Sequence, residues 1–180
     1  LDIGIDEAFH AECLRRLRGG EERRHGLLLY GLVKALAPRC VVDVGTGRGY
    51  TAVVMAKALE DAGVEGRVFT IDYVGNNEPR DWHVAKQPKT DPAWGRLVSR
   101  RELLAPFADL VERRIVFLTG RSRDMIPRIE GKVDFAFIDA SPAYKDIVTD
   151  IRLLVRRGAE ECHLSFDGFD PTNEYWIVPG

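Results

Sequence analysis

A glycine-rich stretch at residues 43–49 constrains the fold of this chain more than any other feature. It reads Asp-Val-Gly-Thr-Gly-Arg-Gly and joins an apolar run at residues 40–44 to a helical pattern at about residues 51–62. Glycine at alternate positions lets the backbone turn tightly and approach a ligand without a Cβ atom in the way. The helix that follows directs its free N–H groups and the positive end of its dipole at that ligand. The sequence therefore predicts a strand, a loop and a helix that together form a ligand-binding unit.

An aspartate at the end of the next predicted strand fits this unit. Residues 67–72 form a second apolar run that ends in Asp72, 23 residues beyond Gly49. Nucleotide-binding βαβ units carry an acid at roughly this distance, where its carboxylate can accept both hydroxyls of a ribose. A dinucleotide-binding fingerprint that starts at Gly45 would need glycine at position 50, where this chain has Tyr50. The stretch therefore departs from the dinucleotide-binding pattern.

The rest of the chain alternates apolar runs with helical patterns, which is typical of a parallel sheet covered on both faces. Further strands are predicted at residues 115–118, 133–139, 160–166 and 175–178, and further helices at residues 5–18, 21–36, 106–113 and 144–155. We therefore expect an α/β fold with a Rossmann-like, doubly wound and mostly parallel sheet, helices on both faces, and the ligand across the carboxyl ends of the strands.

Residues 1–180 are expected to form a single domain, with N-terminal helices in residues 1–37 and a cofactor-binding core in residues 38–180. Residues 73–98 show no regular period and contain several prolines, so we expect a loop insertion there. Trp82, His83 and Trp94 in this segment either form a lid over a substrate or pack against the core. His10 and His25 fall in the N-terminal helices, where we expect them on the surface.

Charge and composition argue against some partners. The chain has 26 basic and 28 acidic side chains, and a net charge of −2 provides no basic field for nucleic acid. Arginine pairs such as Arg100 and Arg101 are expected on solvated helix faces. No apolar stretch reaches the roughly 20 residues that span a bilayer, and no signal peptide is visible. We therefore expect a cytoplasmic protein whose cysteines, Cys13, Cys40 and Cys162, are free thiols.

Four segments resemble the sequential motifs of class I S-adenosylmethionine-dependent methyltransferases. They are DVGTGRG from residue 43, VFTID from residue 68, IVFLTG from residue 115 and VDFAFIDA from residue 133, and the resemblance covers about residues 25–167. It implies that the cofactor is S-adenosylmethionine, with Asp43 orienting the methionine amino group, Asp72 holding the ribose and Tyr73 flanking the adenine. The other residues that it implies in cofactor binding are Gly45, Thr46, Gly47, Gly49, Gly120, Arg121, Ser122 and Asp139.

Residues 137–144 narrow the resemblance to small-molecule O-methyltransferases, both of the catechol type and of the macrolide and sugar type. In these enzymes an aspartate after the fourth strand binds a divalent cation, and an acid after the fifth strand completes much of the site. The resemblance therefore implies Asp139 and Asp167 as ligands of a metal such as Mg²⁺, with Asp139 and Lys145 as candidate catalytic residues. A hard cation held by carboxylates would lower the pKa of an acceptor hydroxyl and fix its position.

The sequence departs from that pattern at two places. The family often carries His or Lys shortly after the first aspartate, whereas this chain has Ser141 and Pro142 there. Gly168 stands where many members have a second acid or an asparagine. An equally good interpretation of Asp139 is a strand-end acid that faces the cofactor or caps the following helix.

The expected function is transfer of a methyl group from S-adenosylmethionine to a hydroxyl of a small-molecule acceptor. A methyltransferase that acts on RNA or protein stays open, because the arginine runs would supply a basic strip beside the site. A non-catalytic module that binds S-adenosylmethionine also stays open. Tyr50 argues against a nicotinamide-dependent oxidoreductase. The expected partner is a small molecule rather than nucleic acid or a membrane, and a homodimer is left open.

Overall fold

The computed structural model describes residues 4–17, 23–82, 93–140 and 143–167. Within these ranges the strands are β1 (Cys40–Val44), β2 (Arg67–Asp72), β3 (Arg80–Asp81), β4 (Leu97–Val98), β5 (Ile115–Thr119), β6 (Val133–Ile138) and β7 (Gly158–Phe166). The helices are α1 (Glu7–Arg16), α2 (Arg23–Leu36), α3 (Tyr50–Asp61), α4 (Arg100–Leu104), α5 (Ala108–Arg114), α6 (Ser122–Met125) and α7 (Tyr144–Arg157). His83, Ser141, Pro142, Gly168 and the strand predicted at residues 175–178 lie outside the described residues.

Five of the strands form one parallel sheet in the order β5-β2-β1-β6-β7. Val42 in β1 is in register with Phe69 in β2 on one side and with Ala136 in β6 on the other, so β1 is central. The chain moves outward from β1 through β2 to β5, then crosses back to add β6 and β7 on the opposite side. The prediction of an α/β, Rossmann-like, doubly wound parallel sheet is confirmed. The strand order reverses between β1 and β6, which is where such sheets bind ligands.

Helices cover both faces of the sheet, which explains why its central strands are continuously apolar. Successive side chains of a strand point to opposite faces. Val41 packs in a core with side chains of α1, α2 and α3, whereas Val42 and Val44 pack in a second core that includes Leu154 of α7. Every residue of β1 is buried as a result.

The segment between β2 and β5 has more regular structure than the sequence indicated. Within the region expected to be a loop insertion, β3 pairs antiparallel with β4. A short helix, α4, follows, and it begins with a capping box in which Ser99 and Glu102 each bond the backbone N–H of the other. The helix predicted from Pro106 begins instead with a 3₁₀ turn at Ala105–Phe107, which leads into α5.

Two further expectations concern thiols and membranes. Cys13, Cys40 and Cys162 are free cysteines, as predicted. In the part of the chain that the structure describes, no helix combines the length and the apolar character needed to cross a membrane.

Candidate functional site

A cavity of about 570 Å³ opens at the carboxyl ends of β1, β2 and β6. Its walls come from the loop between β1 and α3, from the residues that follow β2 and β5, and from the first turns of α7. Most of the residues predicted to bind cofactor line it, namely Gly45, Thr46, Gly47, Asp72, Tyr73, Gly120, Arg121, Ser122 and Asp139. The fold therefore brings the predicted site residues of four separate segments to one concave surface.

Gly45 lies where two loops of the site touch. Its φ is +106°, and a Cβ atom added to it would lie 1.9 Å from the carbonyl oxygen of Asp139. Its N–H donates to the carbonyl oxygen of Ile71 at 3.0 Å, which ties the loop to β2. Glycine is required here because no side chain fits between the two backbones. Gly49, with a φ of +96°, is the N-cap of α3 and turns the chain into that helix.

Asp43 lies beneath the glycine loop and has no exposed surface. Its carboxylate oxygens accept hydrogen bonds from Thr51 Oγ1 of α3 at 3.0 Å and from Thr70 Oγ1 of β2 at 2.7 Å. Burial raises the pKa of Asp43 to about 7, although the hydrogen bonds from Thr70 and Thr51 act in the opposite direction. The described contacts of Asp43 therefore fix the start of α3 to the sheet. Its contact with a methionine amino group stays a prediction.

Asp72 lines the cavity and is already oriented by three donors. Its Oδ2 accepts from the backbone N–H of Gly47 at 3.1 Å and from Arg100 Nη2 at 2.7 Å, and its Oδ1 accepts from the N–H of Val74 at 3.0 Å. A carboxylate offers about four acceptor positions, so these bonds leave about one for the hydroxyl of a ligand. The predicted ribose-binding acid therefore has a fixed orientation in the described structure.

Arg100 is a residue of this site that the sequence analysis missed. It was expected on a solvated face beside Arg101, and that expectation is wrong because Arg100 is only 1 % exposed. Arg101, its neighbour, is exposed as predicted. The Ser-x-x-Glu pattern at Ser99 and Glu102 could have revealed the start of α4, and thus Arg100 as its first residue. Nothing local to the sequence indicates that Arg100 points inward.

Asp139 and Asp167 follow adjacent strands, and the structure places them side by side. The N–H of Asp167 donates to Ile138 of β6 at 3.1 Å, while the N–H of Asp139 donates to Val44 of β1 at 2.8 Å. His25 of α2, expected on the surface, is half exposed and places Nε2 3.2 Å from Asp167 Oδ1. Burial and the neighbouring Asp167 raise the pKa of Asp139, while His25 lowers it.

The described residues offer no third ligand for the predicted metal site. Among the described residues, no cluster of three or more His, Cys, Asp or Glu side chains could hold a metal ion. One oxygen of Asp167 is already within hydrogen-bond distance of the His25 imidazole. The metal-binding roles of Asp139 and Asp167 therefore stay predictions.

Tyr50, the first residue of α3, also lines the cavity and was missed as a site residue. Its hydroxyl lies 3.1 Å from His10 Nε2 of α1, and His10, expected on the surface, is partly buried by this contact. Gly26 of α2 packs directly on the same ring, because a Cβ atom added there would lie 2.2 Å from the hydroxyl oxygen. Both N-terminal helices therefore pack on a residue of the cavity wall.

The residues of α7 that line the cavity are not the one predicted to act on the acceptor. Lys145 is exposed on the first turn, and the α7 residues that line the cavity are Asp146, Thr149 and Asp150. Asp150 is 3 % exposed, and burial raises its pKa. The N-cap of α7 is Ala143, so the interpretation in which Asp139 caps this helix is wrong. A catalytic role for Lys145 stays a prediction.

The chain is similar in sequence to proteins whose names describe them as O-methyltransferases. A protein of Mycobacterium ulcerans named "Putative O-methyltransferase" is 30 % identical over 141 residues, which cover 77 % of this chain and 53 % of that protein. The chain thus spans about half the length of the curated relatives it matches.

Two solved structures show the same fold. The Podospora anserina methyltransferase bound to SAH has a TM-score of 0.63 at 17 % identity, over 91 % of this chain and 62 % of that one. The O-methyltransferase TomG of Streptomyces achromogenes, in complex with SAM, has a TM-score of 0.60 at 20 % identity, over 90 % of this chain and 65 % of that one.

Most of the parallel sheet, and not one motif alone, matches a known protein family. A family model described as a methyltransferase domain matches residues 42–169, which include the glycine loop, Asp72, Asp139 and Asp167. The match covers more than half of the chain and contains all five strands of the parallel sheet except the first two residues of β1. The chain therefore belongs to this methyltransferase domain family.

Proposed function

We propose that the chain binds S-adenosylmethionine in the cavity described above and transfers its methyl group to a hydroxyl of a small molecule. The observation that carries the proposal is the position of the cavity at the reversal of strand order, between the glycine loop and Asp139. Its volume of about 570 Å³ is within the range of small-molecule sites. The name of the mycobacterial relative favours oxygen as the acceptor atom.

The proposal gives the residues of the chain binding and orienting roles. When bound, S-adenosylmethionine would supply a methyl group on its sulfonium sulfur. The acceptor oxygen would bond the methyl carbon in line as the carbon–sulfur bond breaks, so that S-adenosylhomocysteine leaves and the hydroxyl proton passes to solvent. Asp72 holds the ribose through its remaining acceptor position, and Gly45 and Gly47 let the cofactor approach the loop backbone. Asp139, at the end of β6, contacts the acceptor hydroxyl. Alignment of donor and acceptor in such a site accounts for much of the acceleration of a displacement reaction.

Isothermal titration with S-adenosylhomocysteine tests the cofactor site. We expect micromolar binding by the unmodified protein and a loss of at least about tenfold for Asp72→Ala, because a charge-assisted hydrogen bond contributes roughly 1.5–3 kcal/mol. Asp109→Ala, on the exposed side of α5, is the matched control and should bind like the unmodified protein. Absence of binding by the unmodified protein would contradict the proposal.

A separate measurement addresses the predicted Mg²⁺. We expect Mn²⁺, followed by its electron paramagnetic resonance signal, to bind the unmodified protein no more tightly than the double variant Asp139→Asn with Asp167→Asn. The reason is that His25 lies against one oxygen of Asp167. Tighter binding by the unmodified protein would show that these two carboxylates hold a divalent cation.

Other outcomes distinguish the alternatives. Binding of S-adenosylhomocysteine without methyl transfer to any hydroxyl acceptor would favour a non-catalytic binding module. Transfer to RNA or protein would favour the macromolecular alternative. Cytoplasmic location, the absence of nucleic acid as a partner and a homodimer stay predictions, to be tested by fractionation, RNA-binding assays and light scattering.

A further inference from the structure

Arg100 connects three backbone segments of the site from a fully buried position. Its Nε donates to the carbonyl oxygen of Gly47 in the glycine loop at 2.7 Å. Its Nη1 donates to the carbonyl oxygen of Val74 at 3.0 Å, and its Nη2 donates to Asp72 Oδ2 at 2.7 Å. One planar side chain therefore bonds the loop before α3, the end of β2 and the segment that follows β2.

The surroundings of Arg100 hold the guanidinium in place. Its Cζ lies 5.6 Å from the centre of the Trp82 ring. Trp82 is fixed in turn, because its indole N–H donates to the carbonyl oxygen of Val98 in β4 at 2.8 Å. The β3 and β4 pair therefore supports a wall behind Arg100, and Trp82 packs against the core rather than extending over the cavity.

An arginine suits this set of three acceptors better than a lysine does. The guanidinium is planar and carries five N–H donors in fixed directions, whereas a lysine ammonium is a point charge on a flexible stem. A buried cation is stable only where it is paired and hydrogen-bonded. Here Asp72 supplies the charge partner, and the two backbone carbonyl oxygens accept further donors.

We propose that Arg100 is a positioning residue for ribose recognition: by bonding Asp72 and Gly47 together, it fixes the direction of the one acceptor position that Asp72 keeps for a ligand hydroxyl. This inference rests on the proposed function, because it takes the ligand of Asp72 to be the ribose of S-adenosylmethionine. Arg100 itself does not touch the cofactor; it acts through Asp72 and through the backbone of Gly47.

Titrations with ribose-modified ligands test the proposal. S-adenosylhomocysteine and its 2′-deoxy and 3′-deoxy analogues are titrated into the unmodified protein, Arg100→Met, Arg100→Lys and the control Arg101→Met. We expect the unmodified protein and the control to bind at least one deoxy analogue about tenfold or more weakly than S-adenosylhomocysteine. Arg100→Met should weaken S-adenosylhomocysteine by about tenfold to a hundredfold and bind all three ligands with similar affinity. Arg100→Lys should recover part of the discrimination.

The ratio between ligands separates positioning from a general structural role. If Arg100→Met lowers the affinity for all three ligands by the same factor, the ratio between the ligands is kept and the proposal is overturned. The proposal is also overturned if Arg100→Met binds all three ligands like the unmodified protein. In both cases the proposed function stands. If Arg100→Met does not unfold cooperatively, Arg100→Lys decides by the same ratio. Loss of folding in both variants would also overturn it, since Arg100 would then be needed for the fold itself. No binding by the unmodified protein would instead reject the proposed function, and this inference with it.

Discussion

Replacing Gly45 with alanine is expected to abolish binding of S-adenosylhomocysteine and to lower the free energy of unfolding by several kcal/mol. The new Cβ atom would lie 1.9 Å from the carbonyl oxygen and 2.6 Å from the carbonyl carbon of Asp139. Both are backbone atoms, so no side-chain rotation relieves the overlap. The loop must therefore separate from the end of β6, and both of these segments line the cavity.

Gly47→Ala is the matched control for this overlap. Gly47 also has a positive φ, +51°, but a Cβ atom added there meets no atom within 4 Å beyond its own chain neighbours. Its cost should be limited to the strain of a left-handed backbone, roughly 1–2 kcal/mol. Urea unfolding of both variants measures the difference. If the two variants have equal free energies of unfolding, then the loop at Gly45 can separate from Asp139 without loss of stability.

The second large effect is a dependence of stability on pH that comes from Asp43. Burial raises its pKa from an ordinary 3.8 to about 7. Between these pH values the folded protein keeps a proton that the unfolded chain has released. The folded state therefore binds more protons, and the free energy of unfolding falls as the pH rises through this window. For one group with this shift the fall amounts to about 4 kcal/mol.

Asp43→Asn isolates this contribution. Asparagine keeps the shape of the side chain and cannot ionise, so the decline in stability between about pH 4 and pH 7 should become smaller by about the same amount. Part of the decline should remain, because the pKa values of Asp139 and Asp150 are also raised. Urea unfolding at several pH values measures it, with Asp109→Asn on the exposed side of α5 as a control that keeps the original slope. An unchanged slope in Asp43→Asn would rule out this origin.

The parallel strands were predictable because their signal is local. The bounds of β1 and β2 agree with the predicted runs at residues 40–44 and 67–72, since burial on both faces demands continuous apolar residues. The glycine loop was also predictable from the sequence, because positive φ values and the close approach at Gly45 both require glycine. Fold class and the position of the cavity follow from these features alone.

The missed residues depend on contacts that sequence patterns do not contain. Arg100 sits next to Arg101 in a charged run, and only the packing of α4 against the loop determines that one is buried and the other exposed. Tyr50 and His10 are 40 positions apart, and they meet because α1 packs across α3. Short elements such as α4 and β3 have too few residues to show a period. The sequence therefore predicts which loops form the site, but only some of the side chains that line it.

The contact between Gly45 and Asp139 also affects which parts of the site can change without altering the reaction geometry. It brings the glycine loop and the end of β6, which both line the cavity, together through main-chain atoms alone. For the proposed reaction, the separation between the methyl donor and the acceptor wall is thus a property of the scaffold. Side chains of α7 that line the cavity, such as Thr149, could then be replaced to bind other acceptors. The distance between the methyl donor and the acceptor would stay the same in the proposed reaction.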